Sequence, residues 1–161
     1  GGLGKVEKGD VTQGHVLPLQ QAMGLAADRD VVARQYVNGF ADVMSLADVL
    51  ADAAKKLSVD QAIVTAHLHQ MARLPDTLIA RKCGQGVARA SQKRAQEVLD
   101  AHWPETEGSI QAMGRLDRWL RADGHARNPG ASADVVAAAL WVAMRDRRID
   151  RPLAWREKLW S

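Results

Sequence analysis

From Val135 to Met144 every residue is apolar, and the segment is reached through the polar turn Arg127-Asn128-Pro129-Gly130-Ala131-Ser132-Ala133-Asp134. A helix that is apolar on all sides needs neighbours around it, so the rest of the chain has to supply a surrounding layer of elements. Asn128-Pro129-Gly130 cannot continue a preceding helix, and Ser132 is a good N-cap for the next one. The first free N–H groups of that helix then point outward beside Arg127, an arrangement that suits a phosphate. Asp134 is the only charge between Ser132 and Met144. It either complements the helix dipole or belongs to a ligand site.

A second turn of similar type occurs at Leu74-Pro75-Asp76-Thr77-Leu78-Ile79-Ala80-Arg81-Lys82-Cys83-Gly84. Asp76 lies at a helix start, with Arg81 and Lys82 within two turns of it. A carboxylate and two cations share one short segment. The macrodipole alone favours acid first and base last, so a plain helix connection competes with a ligand site.

The remaining pattern predicts an all-α bundle of six or seven helices with short connections, in a single domain covering residues 1–161. Of 161 residues, 47% are hydrophobic and 25% charged, enough for one core. Ala, Leu, Arg and Gln abound while Thr, Ile and aromatic residues are sparse, so no strand is expected. Gly1 to Leu17 is aperiodic and reads as a loop, and Pro18 starts a helix running from Leu19 to about Asn38. Asp30, Arg34, Asn38 and Asp42 recur at fourfold spacing and form one polar stripe, either solvent-exposed or the wall of a cleft. Further helices are expected at about Leu46–Leu57, Val59–Arg73 (opened by a Ser58/Gln61 capping box), Val87–Ala101, Ser109–Arg121 and Ala133–Arg148. Pro152 to Ser161, with Trp155 and Trp160, reads as a tail docked on the core.

Several chemistries are disfavoured. His67 and His69 are two residues apart and, on a helix, point about 200° away from each other, so they do not chelate one ion. Gly84-Gln85-Gly86 lacks both the preceding strand and the Gly-Lys-Ser/Thr ending of a phosphate loop, and reads as a flexible break between helices. The net charge of +3 is a mild excess of base. The cluster Arg145, Arg147, Arg148, Arg151 and Arg156 is diluted by Asp146, Asp150 and Glu157, which argues against nucleic acid as a partner. The lone Cys83 suits a reducing compartment. No apolar run approaches the roughly 18 residues that span a membrane, so a cytoplasmic location is expected.

Taken in order, "GGLGKVEKGDV", "AADRDVVARQYVNGFADV", "PDTLIARKCG" and "RNPGASADVVAAALWVAMR" resemble the triphosphoribosyl-dephospho-CoA synthase family over Gly1 to about Arg148, closest to the branch found in methylotrophs and archaea. The resemblance implies an all-α enzyme in which a ribose hydroxyl of dephospho-CoA attacks the anomeric carbon of ATP. Adenine leaves and the triphosphate stays on the transferred sugar. Carried over by position, Asp76 matches the acid of the family's Asp-Thr motif, and Arg81, Lys82 and Gly84 match the basic and glycine positions after it. Asn128, Pro129, Gly130, Ser132, Ala133 and Asp134 match the second motif; at position 131 this chain has Ala where the family more often has Thr or Gly. A Thr-Pro-Lys-Pro-Gly-like loop and a Thr-Asn-x-Gly-like segment, which family members carry further N-terminal, have no counterpart here. The chain therefore reads as the C-terminal part of a longer protein.

On this reading Asp76 and Asp134 are the catalytic acids, or the ligands of a Mg²⁺ that accompanies ATP, and are expected to face one cleft. Arg81, Lys82, Arg127, Asn128, Gly130 and Ser132 bind phosphate. The expected partners are a nucleotide and a CoA-like small molecule, together with self-association or completion by an N-terminal part. Two rivals stand beside it. One is a non-catalytic helical module that binds a nucleotide or protein; the other is an enzyme of tetrahydromethanopterin or methanofuran cofactor synthesis with a different acceptor.

Overall fold

The structure is a computed structural model that describes residues 17–149. The expected leading loop up to residue 16 and the Trp155/Trp160 tail lie outside the described residues. Eight helices follow one another, α1 (Leu19–Gly24), α2 (Val31–Val37), α3 (Ala41–Ala54), α4 (Val59–Arg73), α5 (Thr77–Cys83), α6 (Gln85–Asp100), α7 (Glu107–Arg121) and α8 (Gly130–Arg145). No strand occurs among the described residues.

Helix α4 organises the bundle because it carries two apolar faces. Val59, Ile63 and Ala66 join a core formed with α2, α3 and α8, in which Leu50, Ala47, Ala139 and Ala143 are fully buried. Val64, Leu68, Met71 and Ala72 join a second core with α6 and α7, around Ala95, Val98 and Leu116. The two sets are spaced by three and four residues, as two stripes of one helix must be. The Ser58/Gln61 box opens α4, with Ser58 N–H and Oγ both donating to Gln61 Oε1, at 3.4 and 3.0 Å.

The bundle departs from the sequence pattern in three places. The stretch from Leu19 to Asn38 is two helices, since the chain turns after Gly24 and Asp30 opens α2 by accepting from Val32 N (2.8 Å) and Ala33 N (3.1 Å). Helix α3 starts at Ala41, upstream of Leu46, because Gly39 and Phe40 take left-handed backbone (φ 66° and 60°) and Asn38 Oδ1 accepts from Ala41 N at 3.3 Å. Helix α8 is apolar all round, as its composition demands, but it is not buried all round. Ala133, Asp134, Ala137 and Trp141 are exposed, and the Arg145 guanidinium lies 4.9 Å from the Trp141 ring. At the far end of α8, Arg145 and Arg148 are paired with Asp146 and Asp48, so part of the basic cluster is neutralised locally.

The stripe Asp30-Arg34-Asn38-Asp42 does not run along one helix. Asp30 caps α2, while Arg34 and Asn38 converge on Asp42, whose carboxylate is buried at the start of α3 and accepts from Gln35 Nε2 (2.8 Å) and Asn38 Nδ2 (3.1 Å). Arg73 Nη2 of α4 stands 2.7 Å from one oxygen and Arg34 Nε 3.5 Å from the other. Burial pushes the Asp42 pKa up, but the Gln35 hydrogen bond, the Arg73 and Arg34 charges and the Asn38 bond together outweigh it, so the carboxyl is held below its ordinary value.

Two predictions come from this frame. Gly84 alone separates α5 from α6, with φ 87° and ψ 161°, a backbone region open essentially only to glycine. Gly84→Ala should cost roughly 1–3 kcal/mol in urea unfolding. Because the folded pKa of Asp42 is depressed, its contribution is complete above the unfolded-state pKa and is lost as pH falls through the folded one. Asp42→Ala should cost about 2 kcal/mol at neutral pH, moderated by the half-exposed arginines, and should flatten the acid limb of the stability profile.

Candidate functional site

Asp76 is the N-cap of α5, where its Oδ1 accepts from Leu78 N (2.9 Å) and Ile79 N (3.0 Å). Its other oxygen, Oδ2, accepts from both the N–H and the Oγ–H of Ser132, each at 2.7 Å. One buried carboxylate thus sits between the first turns of α5 and α8 and satisfies donors of both. Ser132 is consequently not the N-cap of α8. The helix begins at Gly130, with Pro129 in the cap position and no cap from its own side chains, and Asp76 supplies the missing acceptor from another helix. The two Ser132 donors at this helix start point at Asp76 rather than outward. Gly130 permits the approach, since a Cβ there would lie 2.7 Å from Leu78 Cδ2.

Next to Asp76 opens a cleft of about 590 Å³, within the usual range for small-molecule sites. One wall is the α1–α2 turn with Arg29 and the start of α2 with Arg34. The other is the α4–α5 junction with Leu74, Pro75, Thr77 and Arg81. The walls meet where Val31 N donates to Thr77 Oγ1 at 3.4 Å. Three arginines therefore line one cavity; Arg34 is paired with Asp42, and neither Arg29 nor Arg81 is ion-paired to any described residue. Asp28 and Asp30 also line it, with Asp30 engaged in capping α2.

A smaller cavity of about 260 Å³ lies between α4 and α7 and the loop before α8. Its floor is aliphatic, with Leu68, Met71, Met113 and Leu116, while His67, Asp117, Arg121, His125 and Asn128 supply the polar part. Burial lowers the His67 pKa, against the opposing hydrogen bond to the Pro129 backbone and the nearby Asp76 charge, so the ring is neutral.

The residues singled out in the sequence are thus dispersed. Arg81 lines the larger cleft, and Lys82 is exposed beside it without lining it. Arg127 is a packing residue, its guanidinium 4.7 Å from the Trp119 ring, with Nη1 donating to the Trp119 carbonyl at 3.1 Å. Asn128 borders the smaller cavity. Asp134 is exposed and follows Ser132 by two residues, so it points about 200° around α8 from the group that faces Asp76. The structure does not bring Asp76 and Asp134 together. Among the described residues no group of three His, Cys, Asp or Glu side chains could hold a metal ion. Sequence reasoning missed Arg29 and the contact of Thr77, and it offered Arg34 only as part of a polar stripe; Arg29 and Arg34 lie some 50 residues before Arg81 and are joined to it only by folding.

Comparison with known proteins bears on this geometry. The ATP:dephospho-CoA triphosphoribosyl transferase (CitG) family pattern matches residues 1–152. The chain belongs to this family. A crystal structure from Archaeoglobus fulgidus, of a protein provisionally described as a triphosphoribosyl-dephospho-CoA synthase, is similar at a TM-score of 0.67 and 26% identity. The match covers 84% of this chain and 55% of that one, so the chain spans about half the length of its structural relative. No curated protein matches it.

Asp76 should behave first as a structural tie in this chain. Asp76→Asn places an amide donor against the Ser132 donors or the α5 N–H groups and should lower stability by roughly 2–4 kcal/mol. Ser132→Ala keeps the backbone bond and should cost about 1 kcal/mol. Thermal melts of the two variants check the order; equal melting temperatures would show that Asp76 is not the link between α5 and α8.

Proposed function

We propose that this chain provides the nucleotide-holding part of a transferase that moves a triphosphoribosyl group from ATP to dephospho-CoA or a related cofactor precursor and releases adenine. The observation that carries the reading is the convergence of Arg29, Arg34 and Arg81 on one cleft beside the Asp76-Thr77 helix start. Family membership supports it. In this reaction the triphosphate is not the leaving group. It remains on the sugar throughout, so its cations serve to anchor the donor and to fix the anomeric carbon against the acceptor hydroxyl. The displacement passes through an oxocarbenium-like centre, which a pocket with carboxylates on its edge tolerates.

Asp28, together with the Oδ2 of Asp30 that capping does not use, is the cleft carboxylate available to a cation, because both oxygens of Asp76 already accept two hydrogen bonds each. A Mg²⁺ arriving with ATP would be held mainly by the phosphates, with Asp28 or Asp30 as its protein contact. The exposed face of α8 around Trp141 and Ala137 is where self-association, or the half of the site corresponding to the rest of the Archaeoglobus protein, would dock. A cytoplasmic location fits a nucleotide substrate, and no described helix is long and apolar enough to cross a membrane. The dispersal of Asp76 and Asp134 favours a second reading, a family member that binds the nucleotide without turning it over.

Isothermal titration with ATP and with inorganic tripolyphosphate tests the cleft. Arg29→Ala combined with Arg81→Ala should weaken both at least tenfold while the helical circular dichroism and melting temperature stay at parent values. Parent-like affinity in the double variant would place the phosphates elsewhere. Adenine release from ATP in the presence of dephospho-CoA, assayed for the same protein, separates the transferase from the non-catalytic module.

A further inference from the structure

The 260 Å³ cavity between α4 and α7 is not used by the phosphate cleft, and no residue lines both. Its volume lies just under the range of about 300–1,000 Å³ typical of pockets for whole drug-sized ligands, so it accommodates a ring system rather than a complete nucleotide. Its electrostatics differ from those of the arginine cleft. Arg121 is tied to Asp117 by Nε at 2.8 and 3.0 Å, so these two charges cancel. His67 at the wall is neutral, and its Nε2 is buried without a hydrogen-bond partner. The floor offers Met71 and Met113, whose polarisable sulfur atoms pack well against flat rings. At the rim, Asn128 is exposed and its side-chain amide makes no hydrogen bond to any described residue, while its backbone is fixed by Asn128 N donating to the His125 carbonyl and by its own carbonyl accepting from Gly130 N. A carboxamide has a donor and an acceptor side by side, which matches an adjacent acceptor and donor on a heterocycle edge; the amine and N7 of adenine are such a pair.

We propose that this cavity is a binding site for a neutral, planar nitrogen heterocycle of the aminopurine class, with Asn128 reading its amine edge and Met71 and Met113 packing against its faces. The choice of adenine as the ligand rests on the transferase reading above, in which adenine is the departing group; the cavity itself does not depend on the arginine cleft.

Equilibrium dialysis of the full chain with free adenine, run beside a tripolyphosphate titration, tests this. Adenine should bind saturably, and purine, which lacks the amine, at least tenfold more weakly. Asn128→Ala, a change on the surface, should weaken adenine at least tenfold and leave tripolyphosphate unchanged. Met113→Trp, which fills the cavity, should abolish adenine binding with tripolyphosphate again unchanged, the latter serving as the check that the variant is folded. No saturable adenine binding by a parent that binds tripolyphosphate would overturn the proposal while leaving the phosphate cleft standing. Adenine binding that is insensitive to Asn128→Ala would overturn it equally. Adenine binding at the cavity with no tripolyphosphate binding would support it and remove the transferase reading instead.

Discussion

The Asp76 carboxylate, held between the first turns of α5 and α8, is the contact on which the arrangement around both cavities depends. It accepts two hydrogen bonds from each helix start. Two partial positive ends that would otherwise repel are brought together by one anion placed between them. The consequences run outward in both directions. Thr77, next to Asp76, meets the start of α2 and closes the bottom of the arginine cleft. Pro129, just before the α8 start, hydrogen-bonds His67 and borders the smaller cavity.

This contact also explains how a sequence motif can be read correctly in kind and wrongly in detail. The Asn-Pro-Gly turn followed by Ser132 does create a helix start with available N–H groups, and an anion does occupy one of them. That anion is a side chain 56 residues away. Local patterns specify that a donor needs an acceptor; they carry no information about whether the acceptor is a ligand or another part of the chain. Helical class, the capping box at Ser58 and the helices α4 and α7 were legible because they depend on spacings of three and four residues. The division of Leu19–Asn38 into two helices turns on Asp30 acting as the cap of α2 rather than as a member of a polar stripe along one helix.

The candidate site was legible in part for the same reason. Arg81 and Asp76 stand out because acid and base lie within one short helix, whereas Arg29 gives no local signal and Arg34 only that of a polar stripe until the start of α2 meets Thr77. Asp134 was singled out as the sole charge on an apolar helix, on the premise that α8 is enclosed. The exposed face formed by Ala133, Asp134, Ala137 and Trp141 removes that premise, since a carboxylate in water at a helix start needs no partner. The proposed phosphate site therefore rests on arginines gathered from the α1–α2 turn, α2 and α5 rather than on either helix start taken alone.

The central claim is that the internal carboxylate keeps the α8 start closed to phosphate and leaves the triphosphate to Arg29, Arg34 and Arg81. A crystal structure of the chain with bound ATP tests it most directly. The account predicts phosphate density in the arginine cleft, with both Ser132 hydrogen bonds to Asp76 Oδ2 retained. Phosphate density on the N–H groups of residues 130–132, with the Asp76 side chain displaced, would contradict it.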